Sequence, residues 1–148
     1  MSVSRLLPRI RWQRLIVLPV LGALVGVLTG CDRPTPLVSM QAGRNFVQAH
    51  AAQYERDGRV IKDAGYQLPV LHAAPGETIN IDVPKSVASH GYFLASNDAR
   101  ISNTITDPHY RLTVPEGQGE ASLTIFQAPS GSSSQASGSW PFRLVIHP

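Results

Sequence analysis

Residues 75–84 read Pro-Gly-Glu-Thr-Ile-Asn-Ile-Asp-Val-Pro, and this decapeptide constrains the fold more than any other stretch of the chain. A Pro-Gly turn opens it, Ile79, Ile81 and Val83 fall on one side, and Asn80 and Asp82 alternate between them. Period-two alternation closed by proline is the pattern of a half-buried antiparallel strand, because successive side chains of a strand point to opposite faces. The pattern recurs. Tyr110, Leu112 and Val114 share a face before Pro115, and Leu123, Ile125 and Gln127 alternate with Ser122, Thr124 and Phe126. Shorter apolar groups stand at Val38/Met40, Val60-Ile61, Val70-Leu71, Tyr92-Phe93-Leu94 and residues 142–146. Residues 45–56 (NFVQAHAAQYER) fit either a continued edge strand or a short helix.

These segments amount to about seven short strands punctuated by Gly/Pro turns, with no long helical period. The expectation is an all-β chain, an antiparallel β-sandwich, with a barrel as the runner-up. Parallel strands buried on both faces would read as continuous apolar runs instead of alternating ones. From Thr78 onward the run of strands resembles an immunoglobulin-like sandwich. Antibody-type features are missing: there is no Cys pair, Tyr92 and Phe93 stand where that family has Trp, and Leu123 stands where a tyrosine corner would fall. The resemblance therefore implies an architecture and no chemistry. Residues 129–139 (PSGSSSQASGS) form a low-complexity Ser/Gly stretch, expected as a flexible loop between the last two strands.

Charge is unevenly distributed. The chain carries 13 Lys/Arg against 10 Asp/Glu, but Arg5, Arg9, Arg11 and Arg14 crowd the first fourteen positions. From Cys31 onward nine basic residues face ten acidic ones, which removes the basic excess that phosphate neutralisation needs. Nucleic acid is not an expected partner. After the basic flank, residues 15–28 (LIVLPVLGALVGVL) hold no charge, and Thr29-Gly30-Cys31 follow. A basic segment, a short apolar run and small residues at a cut site make a secretory signal. Fourteen helical residues span about 21 Å, short of the roughly 30 Å hydrocarbon core.

The tetrapeptide Leu28-Thr29-Gly30-Cys31 resembles the lipobox of bacterial lipoproteins. The resemblance implies cleavage between Gly30 and Cys31 and diacylglyceryl lipid on the Cys31 sulfur, so that the mature protein is lipid-anchored and extracytoplasmic. Two acyl chains hold a protein durably without a spanning helix, at about 0.8 kcal/mol per buried methylene. The whole-chain layout also resembles small actinobacterial lipoproteins that have no assigned activity. The expected organisation is a signal peptide over residues 1–30, a lipidated Cys31 with a Pro-rich spacer over residues 31–36, and a β-sandwich domain over residues 37–148.

The residues that carry chemistry are dispersed. His50, His72, His90, His109 and His147 are separated by 22, 18, 19 and 38 positions, without the close spacing of sequential metal sites. His90 and His109 are the weak metal candidates, with Asp107 near His109 in sequence. Asp82, Asp98, Asp107, Glu116 and Glu120 read as turn acids, and the serines cluster in the flexible stretch, where no nucleophile is held rigid. Neither a catalytic residue nor a cofactor is expected. Alternation turns Phe126 outward when Leu123 and Ile125 face inward, and Trp140, at the end of the Ser/Gly stretch, is expected half-exposed beside it. Phe126 and Trp140 together are the expected binding surface. The functional expectation is a lipid-anchored, non-enzymatic binding or accessory module that meets the membrane through Cys31 and takes an envelope protein or cell-wall ligand. The alternative is a copper- or zinc-handling lipoprotein using His90 and His109.

Overall fold

The structure is a computed structural model and describes residues 33–129 and 135–148. The leader, the lipobox and Cys31 lie outside the described residues, as do residues 130–134 of the Ser/Gly stretch. Residues 34–148 form one unit.

Two sheets make up that unit. The first holds β1 (Val38–Ala42), β2 (Asn45–Ala49), β6 (Thr78–Asp82) and β9 (His109–Thr113) in the order β2-β1-β6-β9. The second runs β4-β3-β11-β10-β7-β8, built from β3 (Gln53–Arg56), β4 (Arg59–Lys62), β7 (Tyr92–Ser96), β8 (Ala99–Arg100), β10 (Gly119–Gln127) and β11 (Gly138–Ile146). A further strand, β5 (Val70–Ala73), pairs with β11 in parallel, and every other ladder is antiparallel. The all-β sandwich expected from the alternation is what the chain forms. β1, β6 and β9 are neighbours in one sheet, and β7, β10 and β11 in the other.

Alternation explains which side of each strand is buried. Val38, Met40, Ile79 and Ile81 from the first sheet join Leu94, Leu123, Ile125, Trp140, Phe142 and Leu144 from the second in one apolar cluster. The one helix among the described residues, α1 (Lys85–Ala88), follows Pro84 and carries the chain from the first sheet to the second while burying Val87 completely. Pro84 has no N–H to lose at a helix start, so it opens this turn without penalty.

Among the described residues there are eleven strands where about seven were expected. Most of the surplus comes from hairpins with two-residue turns. Residues 45–56 are not helical: they form β2 and β3, and β3 returns as β4 through Asp57-Gly58. Both turn residues have positive φ, 51° and 72°, the requirement of a type I′ turn, whose twist matches that of the flanking strands. Asn97-Asp98 makes the same kind of turn between β7 and β8, with φ of 46° and 65°. The Ser/Gly stretch is also shorter than expected, since Gly138 and Ser139 are already in β11, paired with Gln127 and Phe126.

One edge of β11 is shared. Gly138 and Ser139 pair with β3, whereas residues 143–146 pair with β5. Pro141 sits in the gap between the two partners, where a residue without an N–H costs no ladder bond. Its carbonyl is used all the same, accepting the Tyr66 hydroxyl at 2.8 Å.

Candidate binding surface

The outer face of the second sheet carries a short ladder of flat groups. Phe93 on β7 and Phe126 on β10 are cross-strand partners, and their rings stack with centroids 5.4 Å apart and planes 24° apart. The Asn97-Asp98 turn folds β8 back so that Arg100 pairs with Ala95, diagonal to Phe93 on the same face. Its guanidinium carbon lies 4.2 Å from the Phe93 ring centroid, a cation–π contact. Two hydrogen bonds fix that head, from Nε to the Ser102 carbonyl at 2.8 Å and from Nη2 to Thr104 Oγ1 at 2.9 Å. Ala95, Thr124 and Pro141 form the next row across β7, β10 and β11. The result is a low surface of small side chains bordered by two half-buried rings and a fixed cation.

Phe126 thus faces outward as its alternation requires. Trp140 does not: it is fully buried, on the inner side of β11 in phase with Phe142 and Leu144. Its Nε1 donates to the Pro36 carbonyl at 2.8 Å and its ring meets Tyr54 edge-on at 6.1 Å. The expected pairing of Phe126 with Trp140 is therefore corrected to Phe126 with Phe93. The earlier start of β11 at Gly138 sets the phase and turns the indole inward. Arg100 went unread in the sequence, although the Asn97-Asp98 dipeptide before it was the local signal that the chain doubles back there.

Between the sheets is a small apolar cavity of about 160 Å³, lined by Ile101, Leu112, Ala121, Leu123, Leu144 and Ile146 among others. Sites for whole organic ligands run to roughly 300–1,000 Å³, whereas a cavity of about 150 Å³ accepts something the size of benzene. This one has room for a single apolar side chain. Ile101, 45% exposed, connects the cavity to the segment that holds Arg100.

Every histidine has a protein partner. His90 Nδ1 lies 2.8 Å from the Ser86 carbonyl oxygen, His109 Nδ1 meets the Asp82 carboxylate, His50 Nε2 meets Asp63 at 2.7 Å, and His72 and His147 approach to 3.1 Å. Among the described residues no group of three or more His, Cys, Asp or Glu is arranged to hold a metal ion. Several carboxylates have local structural work. Asp107 accepts the His109 N–H at 2.8 Å, Asp98 occupies the β7–β8 turn, and Glu120 lies 3.8 Å from Arg143. Asp63 is held below the usual carboxylate range, first by its hydrogen bond with His50 and then by the Gly65 N–H.

Comparison with known protein families, with curated proteins and with solved structures gives no match. The surface itself is therefore the guide to what the domain does.

Proposed function

We propose that this chain is an extracytoplasmic lipoprotein, cut before Cys31 and held by lipid on that residue, whose sandwich is a non-enzymatic protein-binding module. The partner is an envelope protein that docks on the outer face of the second sheet. The Arg100–Phe93–Phe126 ladder carries this reading. Aromatic residues and Arg are enriched in protein interfaces, because large rigid groups bury area at little cost in side-chain entropy. Arg100 is already ordered by two hydrogen bonds, so little further freedom is lost when a partner covers it.

The test is crosslinking in the native envelope followed by partner identification, comparing the natural chain with Phe93→Ser/Phe126→Ser and with Arg100→Glu. Loss of the crosslinked species with unchanged circular dichroism is the expected result. Capture at the natural level by both variants would rule out this face as the interface. A cell-wall polymer as the only captured species would replace the protein partner.

A further inference from the structure

We propose that the open edge of β9 is a second binding site, which takes an extended segment of a partner protein as an added strand, with an acidic residue between two aliphatic ones. The site is separate from the Phe93–Phe126 face and shares with the reading above only that the ligand is protein.

β9 ends the first sheet, with β6 on one side and no strand on the other. The phase of its ladder follows from two bonds. Val83 donates its N–H to the Pro108 carbonyl and Val114 donates to the Glu77 carbonyl, each at 2.8 Å, at the two ends of an unbroken register. Antiparallel bonding alternates residue by residue. Pro108, Tyr110, Leu112 and Val114 therefore turn their main-chain groups to β6, whereas His109, Arg111 and Thr113 turn theirs outward. The Asp107 carboxylate accepts the His109 N–H at 2.8 Å, and Pro115 has none to offer. The N–H and C=O groups of Arg111 and Thr113 bond to no other segment among the described residues. Open groups of this kind are a template for strand addition.

The side chains beside that edge select the guest. A guest residue bonded to Arg111 places its side chain beside the Arg111 side chain, on the outer face. Arg111 is exposed and forms no ion pair among the described residues, and Asp82, diagonal to it on β6, is engaged by His109. A carboxylate opposite Arg111 completes the charge. The guest residues on either side of it point inward, as the half-buried Tyr110 and Leu112 do. Beside Leu112 lies the apolar cavity, lined by Thr113 and Pro115 from this edge and by Ile101 from the opposite sheet. Those three are exposed, whereas Leu123 and Leu144 behind them are buried, so the cavity opens between the two sheet edges. An inward aliphatic side chain of the guest enters there. A second copy of β9 is a poorer occupant. Pairing Arg111 with Thr113 of another copy, and Thr113 with its Arg111, sets the two arginines diagonally together on one face, where like charges repel.

The test is amide hydrogen exchange at Arg111, Leu112 and Thr113, in the protein as its own cells produce it, with a short peptide centred on Ile-Glu-Ile. At about ten times the peptide Kd, exchange at Arg111 and Thr113 is expected to slow about tenfold. Leu112, already bonded to β6, should not change. The same peptide with Lys in place of Glu is expected to protect neither position, and Arg111→Glu is expected to reverse that preference. Unchanged exchange at Arg111 and Thr113 would overturn the edge site, whatever is crosslinked at Phe93 and Phe126. Equal protection by the Glu and Lys peptides would overturn the acidic guest. Protection that rises with protein concentration, without peptide, would put a second copy in its place. Protection at the edge with no capture at Phe93 and Phe126 would overturn the outer face and leave this site standing.

Discussion

Trp140 and Phe126 lie on adjacent strands and differ in everything that decides stability. Trp140 is fully buried, donates its indole N–H to Pro36 and packs against Tyr54. Trp140→Ala removes the largest buried side chain and strands a carbonyl, and is expected to cost about 3–5 kcal/mol in urea unfolding. Phe126→Ser gives up one stacked ring on the outer face and is expected to cost about 1 kcal/mol by the same measurement. The outward turn of Phe126 was legible in the sequence because Leu123 and Ile125 set the phase of an uninterrupted strand. The phase of Trp140 was not, because the Ser/Gly stretch hides where β11 begins and Pro141 looks like a strand breaker until the gap between β3 and β5 is seen.

At the scale of elements, turn chemistry was the signal most easily passed over. Asp57-Gly58 and Asn97-Asp98 each place two residues in the left-handed region, and each folds a short strand back on its neighbour. Nothing lies within 4 Å of where a Cβ on Gly58 would stand, so Gly58→Ala acts through backbone conformation alone. It is expected to destabilise the hairpin by about 1–2 kcal/mol. Since β4 is an exposed edge strand, hydrogen exchange should speed up across β3 and β4 and remain unchanged in β10 and β11. Equal acceleration everywhere would mean that the hairpin is part of the global unfolding unit. The alternative of a helix over residues 45–56 fails for local reasons too, since β2 pairs back on β1 across Gly43-Arg44 and β3 pairs with β4 across Asp57-Gly58.

For the whole molecule, pH reports how connecting segments are tied to the second sheet. Tyr66 and Tyr92 donate their hydroxyls to the Pro141 and Asp107 carbonyls, both at 2.8 Å. Burial foremost, with nearby carboxylates second, pushes each phenol up to about 12. Below the ordinary phenol value of about 10 both states are protonated and nothing is lost. Above it the unfolded chain releases its protons first, so stability falls as pH rises from about 10 towards 12. Melting temperature against pH should therefore drop on the alkaline side, and Tyr66→Phe should flatten that limb. At the acid end the depressed Asp63 works the other way: its contribution is present above the ordinary carboxylate range and fades as pH falls through its lowered value. Asp63 is solvent-exposed, so screening weakens the effect and the acid limb should be shallow.

Alternation and turn residues were enough to determine that this chain folds as strands, which side of most of them is buried, and that its chemistry-bearing residues lack the spacing of a catalytic or metal motif. Those properties are local, set by the two-residue period of a strand and by the φ values a few residues tolerate. Tertiary structure alone decided the rest. It brought Phe93, Phe126 and Arg100 together from β7, β10 and β8, turned Trp140 inward onto Tyr54 and Pro36, split one edge of β11 between two partners, and set Arg56 against the Pro34 carbonyl. Contacts between residues tens of positions apart depend on which strands become neighbours, and pairing energy is shared among many registers until the packed core selects one.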